Sequence, residues 1–596
     1  MLYKTRPAIV EAVGEKFEIR LPEGKHKRVR AKDIQLLHPG PLKAFDDLQV
    51  DASEVNVQEA WELLEGETTT LEELAELLFG DFRPATAWAS WQVVDEGLYF
   101  EGTPDAIQGR PRQSVEETRE ARERKAREQR EQADFLERLR QGTLGEGDRD
   151  RLQEVERVAL GRSDRSRILT TLGLSETPEA AHELLLRVGY WPETYNPWPH
   201  RQGAIMESPR LPLPPLPDES RHDFTGLTAW AIDDEGNTDP DDAISFDGER
   251  IWVHVADVAA LVRPDSHLDL AARERSANLY LPETTIAMLP PELTERLGLG
   301  LAERSPALSF GFRVDEGGEL HDIEILPSWV KVTRISYDQA EARLEEPELA
   351  RLMEVTRRYR RRRQADNAAD IELPEVSVRV VEGEVVIRPL PRLGSRQMVT
   401  DAMLMAGEAA ARFAMAENIA IPYAVQPEPQ EIRQPTTMAE AYAYRRLFRP
   451  SNAAMTPDRH FGLGLPCYAR ATSPLRRYVD LVVHQQLRAK VTGGQPLPRE
   501  AVSERVAAAG AMNGVIRRAE RLSNQHWKLV WLKRHPKWRG QGQVVALEER
   551  KAVVMIPELA MEVRIRRHDD LDLDRQVTLE LQQVDLPAQA AYFRRI

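Results

Sequence analysis

Over the first fifty positions apolar and polar residues alternate. The segments AIVEAVG, KFEIRL and RVRAKDIQLL are interrupted at Gly14 and again from Pro22 to Gly24, which predicts short strands in a small β-barrel-like module over 1–50. The period then lengthens. In TTTLEELAELLFG, Leu71, Leu74 and Leu78 share one helical face, Thr70 and Glu73 form a capping box, and Gly80 sits where the helix should stop. A second helix from about Pro84 to Asp95 and a strand from Leu98 to Phe100 complete a winged helix-turn-helix over 51–110. Its second helix, ATAWASWQVVDE, has no Arg or Lys to read base edges, which favours a docking role over sequence-specific DNA recognition.

Residues 113–141 are dense in Glu and Arg with few apolar positions, the pattern of a solvated helix. A further helical stretch, about 147–188, leads to the Pro-rich SPRLPLPPLPDES at 208–220. Together 111–219 are expected to be a charged helical connector with a Pro-rich linker. Mixed strands and helices occupy 220–535, and from 536 to 596 strands alternate at about ten-residue spacing, as in a compact OB barrel. The expected fold class is therefore multidomain α+β.

Composition narrows the class. The 596 residues hold 81 Lys and Arg against 97 Asp and Glu, a net charge of −16, so bulk charge would not coat nucleic acid. No apolar run can span a bilayer, the start has no secretory h-region, and the single Cys467 excludes an intrachain disulfide. The expectation is a cytoplasmic, membrane-free monomer. Charge is uneven, however: residues 441–540 carry 19 Lys and Arg and 5 Asp and Glu, a local balance of +14. Such a region suits a polyanion channel; equally, its cations could pair with acids from elsewhere.

The strongest chemical signal is TAWAIDDEGNTDPDDAISFDGERIWVHVADVA at 228–259. Asp233, Asp239, Asp241 and Asp242 fall in one turn between two apolar strands, at the end of a buried sheet. Four carboxylates so placed need a cation or raised pKa values. Oxygen-only donors point to a hard cation, Mg²⁺ with Mn²⁺ as the alternative. An EF-hand is excluded, since counting from Asp233 puts Thr238 at the glycine position and Ile244 at the glutamate position.

The run Ile232 to Ile244, I-D-x(5)-D-x-D-D-A-I, resembles the signature of the ribonuclease II family of RNB-domain exoribonucleases. Two further blocks agree in order and spacing: ANLYLPETTIAMLPPEL from 277 and HFGLGLPCYARATSPLRRYVDLVVHQQL at 460–487. The resemblance covers about 220–530. It implies an RNB catalytic domain over 220–535 that releases 5′-mononucleotides hydrolytically and processively from single-stranded RNA with a free 3′ end. It implies that Asp233, Asp239 and Asp242 hold magnesium, that Asp241 positions or activates the attacking water, and that Arg476 faces the scissile phosphate. Tyr280 would stack a terminal base, worth about 1–3 kcal/mol. Tyr337, Arg477 and Glu520 would contact the substrate end, with an ion pair the competing role for Arg477 and a surface charge for Glu520. His460 could touch RNA or be a core histidine, and Trp527 and Trp531 fit helix packing better than stacking.

Departures from the family pattern are specific. Thr400 stands for one member of an acidic pair while Asp401 remains, Gly407 stands where an Asn is usual, and EVSVRV (375–380) has no aromatic for the second half of a base clamp. The helix-turn-helix region takes the place of two N-terminal cold-shock modules and would recruit a protein partner or guide the RNA end. The rival functions are a nucleic-acid-binding regulator using that region, and an RNA-processing scaffold with catalysis secondary.

Overall fold

The computed structural model describes residues 1–53 and 55–596 and divides into two units, Met1–Gln141 and Gly142–Ile596. In the first unit, Ile9–Val13, Phe17–Arg20 and His26–Val29 form an antiparallel sheet whose alternate residues bury Ile19 and Val29 with Ala8 and Leu21. A second three-stranded sheet joins Leu2–Tyr3, Arg6–Pro7 and Ile34–Gln35. Helices Val57–Leu64, Leu71–Phe79 and Pro84–Glu96 follow, with a small sheet containing Phe100–Thr103 and Ala106–Gly109. The expected capping box is formed: Thr70 Oγ1 accepts from Glu73 N at 3.2 Å, and Glu73 Oε2 accepts from Thr70 N at 3.0 Å. Gly80 closes that helix at φ +79°, a conformation that costs glycine nothing.

The stretch 111–219 does not act as one connector. Its charged helix, Arg112–Gln141, belongs to the first unit, whereas five short helices from Asp148–Arg151 to Trp198–Arg201 belong to the second. Val155, Val158, Leu169, Ala181, Leu184 and Leu185 recur at helical spacing there and are buried, so this part has a core of its own.

At the heart of the second unit is a closed five-stranded barrel: His222–Asp233, Asp242–Phe246, Ile251–Ala256, Ser305–Val314 and Leu320–Ser336. Neighbours are antiparallel except the closing pair, His222–Asp233 with Leu320–Ser336, which is parallel. Both faces of the barrel wall are covered. Trp230, Ile232, Ile244, Val253 and Val255 pack with helices Pro347–Ala365 and Gly394–Ala416, while Ala229, Ala231, Ala243, Trp252 and Ala256 pack with Tyr478 and Leu481 of helix Tyr478–Val491. Double-sided burial explains why IWVHVA is continuously buried rather than alternating.

Two family departures have structural accounts. Asp401 is fully buried and accepts from Arg360 Nε at 2.8 Å and Arg363 Nη2 at 2.5 Å, an ion pair within the helical layer. Gly407 lets its helix touch the 468–469 segment: a Cβ there would lie 2.1 Å from the Tyr468 ring and 2.6 Å from the Ala469 carbonyl oxygen. Gly407→Ala is therefore expected to destabilise by about 2 kcal/mol, the range of overpacking. Thermal unfolding measures this, and an unchanged midpoint would show that the contact relaxes without strain.

The C-terminal strands Arg539–Leu547, Lys551–Ile556, Met561–Arg566, Gln576–Asp585 and Ala590–Arg595 form an antiparallel OB-type sheet. Its core includes Val544, Val554, Val563 and Leu579, with Trp527 from the 36-residue helix Arg499–Arg534 buried among them and Trp531 packed alongside. Both tryptophans are packing residues. No helix among the described residues is long and apolar enough to cross a membrane.

Candidate active site

The aspartates stand where two barrel strands meet. Asp233 ends His222–Asp233, Asp242 begins Asp242–Phe246, and Asp239 and Asp241 lie in the turn between them. Leu299 N donates to the Pro240 carbonyl at 2.9 Å and Ala256 N to the Asp241 carbonyl at 2.8 Å, so the turn is pinned to the barrel. Asp233, Asp241 and Asp242 line a cavity of about 180 Å³ together with Arg334 and Gln339.

Asp241 is 2% exposed, and both its oxygens are engaged: Oδ1 accepts from Leu475 N at 2.8 Å and Oδ2 from Arg476 Nε at 2.9 Å. Burial outweighs these contacts and pushes its carboxyl pKa up to about 8. Burial likewise raises Asp242 to about 7 and moves Asp233 upward. Among the described residues no three His, Cys, Asp or Glu side chains are set to hold a metal ion as they stand. The donor set nonetheless fits a hard cation. It is oxygen only, and three of its four carboxylates, Asp233, Asp241 and Asp242, line one cavity where burial disfavours their charged forms unless a cation joins them.

Asp239 faces another set of partners. Its Oδ2 accepts from Asn278 Nδ2 at 3.0 Å and from the Tyr280 hydroxyl. Asn278 is itself fixed by its neighbours: its N–H donates to the Arg476 carbonyl at 3.0 Å and its Oδ1 accepts from Met288 N at 2.7 Å. Tyr280 lies mid-strand in Leu279–Leu281. Alternation buries Leu279 and Leu281 against Ile516 and Ala519 of the long helix and leaves Tyr280 exposed at 37%. Glu520, from the same helix, accepts the Tyr280 N–H at 3.0 Å. The two residues that the motifs singled out, Tyr280 and Glu520, thus stand at one locus, where Glu520 acts on the tyrosine backbone.

On the Asp233 side, Asn237 Nδ2 donates to Asp233 Oδ2, Arg334 Nη2 donates to the Asn237 carbonyl at 2.5 Å, and Arg396 pairs with Asp234 at 2.5 Å. The Arg396 guanidinium lies 4.0 Å from the centre of the Tyr337 ring. Burial, then the charges of Asp233 and Asp242, drives the Tyr337 hydroxyl pKa upward, which puts this ring beside the aspartates. Arg477 is not free: it donates to Asp480 Oδ1 at 2.8 Å and Ser473 Oγ at 3.0 Å, the ion-pair role. His460 is buried edge-on to Tyr468, with its pKa lowered to about 4 by burial, a core histidine.

Asn278, Asp234, Arg334, Arg396 and the Leu475 N–H escaped sequence reasoning. Only Asn278 left a signal, two residues before Tyr280 in the ANLYLP block. The basic stretch 441–540 is partly spent on ion pairs, among them Arg488 with Asp257 and Glu219, Arg505 with Asp265, and Arg534 with Glu384.

Residues 221–493 match the RNB domain, 115–197 a double HTH domain, and 538–596 the RNase II-type exonuclease C-terminal S1 domain. An uncharacterised ribonuclease of Synechocystis sp. is 32% identical over 96% of this chain and 94% of its own length. Two solved structures share the fold. The Dss1 exoribonuclease of Candida glabrata, an active-site mutant, covers 97% of this chain and 94% of its own at 15% identity and a TM-score of 0.67. Mycoplasma genitalium RNase R in complex with ribose-methylated single-stranded RNA covers 63% and 72% at 19% identity and a TM-score of 0.56.

Proposed function

The chain belongs to the RNB-domain ribonucleases of the ribonuclease II family, and on that premise we propose that it is a processive, Mg²⁺-dependent exoribonuclease. It removes 5′-mononucleotides hydrolytically from the 3′ end of single-stranded RNA. The observation that carries this reading is that Asp233, Asp241 and Asp242 of the aspartate turn share one cavity, while Arg476, 235 positions from Asp241 in sequence, donates to Asp241 Oδ2.

Nucleases of this family generally use a divalent metal. Here Asp233, Asp239 and Asp242 would hold it, and when bound it would neutralise phosphate charge and lower the pKa of water. The chain's own residues supply the rest. Asp241, raised to about 8, is poised to hold or accept a proton near neutral pH. Arg476 keeps its Nε on Asp241 and offers its terminal nitrogens to the scissile phosphate, a role suited to a permanently charged planar fork. Tyr280 presents its ring to the terminal base while its hydroxyl and Asn278 hold Asp239 in place. Glu520 fixes the strand that carries the ring.

Purified protein incubated with 3′-unblocked, 5′-labelled RNA and Mg²⁺ should shorten it stepwise from the 3′ end, with mononucleotide as the released product and no reaction in chelator. Internal cuts, or equal rates with and without chelator, would overturn the assignment.

A further inference from the structure

A second cavity, of about 460 Å³, adjoins the catalytic one. Asp234 and Glu235 line both. One wall is a face of the hairpin Val376–Val381 and Glu384–Pro389. Strand alternation divides this hairpin cleanly. Val378 and Val385 are buried in the core shared with the C-terminal sheet, whereas Ser377, Arg379, Val386 and Arg388 line the cavity. The register sets Ser377 opposite Arg388 and Arg379 opposite Val386. The facing wall is Tyr337 with Arg396 stacked on it.

The charges in this cavity are not spent alike. Arg396 is paired with Asp234, and Arg379 gives one N–H to the Glu235 carbonyl at 3.2 Å. Arg388 has no hydrogen bond or ion pair among the described residues, and it is exposed. An unpaired guanidinium and a second with donors to spare share this cavity with the apolar Val386, Leu390 and Leu393 and with the carboxylate of Asp338, a phosphate-plus-base pattern with an acid at its rim. The volume falls within the roughly 300–1,000 Å³ of small-molecule sites. Position supplies a second argument. Hydrolysis leaves a phosphomonoester, more negative than the diester, in a cavity walled by carboxylates that repel it. The second cavity is next door, sharing Asp234 and Glu235 and setting Arg379, Arg388 and Arg396 beside them.

We propose that this second cavity binds a free 5′-nucleoside monophosphate, its phosphate on Arg388 and Arg379 and its base along the apolar wall beside Tyr337. The exoribonuclease reading supplies the source of the nucleotide, the reaction's own product; the binding itself does not require that reading. Occupancy would make the nucleotide an inhibitor that acts from outside the aspartate cavity.

The test is calorimetric titration of the full chain with 5′-AMP and with adenosine. 5′-AMP should bind at least tenfold more tightly than adenosine, and Arg388→Ala should weaken 5′-AMP at least tenfold while leaving nucleotide-free RNA turnover unchanged. Inhibition of turnover by added 5′-AMP should weaken by the same factor. Ser377→Trp, which fills the cavity from the facing register position, should block binding in the same way. Undiminished 5′-AMP affinity in both variants would overturn the proposal, as would an Arg388-dependent preference for a short oligonucleotide over 5′-AMP. Binding that depends on Arg388 in a protein that cleaves no RNA would sink the nuclease reading and leave the cavity assignment standing.

Discussion

Asp241→Asn is expected to reduce RNA turnover by on the order of 10²–10⁴-fold, the range for loss of a proton-handling group, with affinity for RNA within a few-fold of the parent. The geometry separates the two readouts. The substituted amide keeps an oxygen for the Leu475 N–H, so the backbone on that side of the cavity stays in place. The amide nitrogen, however, now faces Arg476 Nε, donor against donor, and no group remains there to take a proton. Turnover and equilibrium binding, measured on the same labelled strand, check this; wild-type turnover would remove Asp241 from the mechanism.

The same substitution has a stability signature. In the cation-free protein Asp241 stays protonated up to about 8, well above the ordinary carboxylate value it regains on unfolding. Between those values the folded state binds the extra proton, so this group makes stability fall as pH rises from about 4 to about 8. An amide cannot titrate, and the variant's stability should therefore decline less steeply across that window. Denaturant midpoints at several pH values in chelator read the slope, and identical slopes would mean that the buried carboxyl is not shifted.

The acid cluster was legible because its four members sit within ten residues, where spacing and flanking apolar strands speak directly. Tyr280, Glu520 and Arg476 were legible as motif members, although their contacts were not: the Asp241–Arg476 and Tyr280–Glu520 pairs span 235 and 240 positions. Contacts of that kind leave no periodicity. The pairing of Arg396 with Asp234 was hidden for the same reason. Local charge counting left two readings open at 441–540, because it could not show which cations pair with acids from distant segments. In 111–219 the helical stretch at about 147–188 was legible, but the burial of Val155, Val158, Leu169 and Leu184 was not. The hairpin at 376–389 showed in sequence only as a missing aromatic. Its alternation of buried Val378 with cavity-facing Arg379 becomes meaningful once its two neighbours in space are known.

Arg476→Ala is expected to lower turnover on the order of 10²–10³-fold, the cost of losing one positioned donor to developing charge. RNA affinity should change far less, because one phosphate contact among several is lost. At pH values where Asp241 is ionised this variant should also be less stable, since it strands the Asp241 carboxylate with the Leu475 N–H as its remaining partner. The penalty is about 1–3 kcal/mol, below that of a fully buried pair because the Arg476 side chain is 38% exposed and water can enter behind it. Adding Asp241→Asn to Arg476→Ala should then recover stability without recovering turnover. That non-additivity separates the two jobs of the arginine. If the double variant is no more stable than Arg476→Ala alone, Asp241 and Arg476 are not electrostatic partners. If turnover and affinity fall together in the single variant, the arginine only grips the strand. Arg476→Lys sharpens the distinction: a point charge can balance Asp241, yet it cannot hold that carboxylate and a phosphate at once through a planar fork, so it should restore stability and leave turnover low.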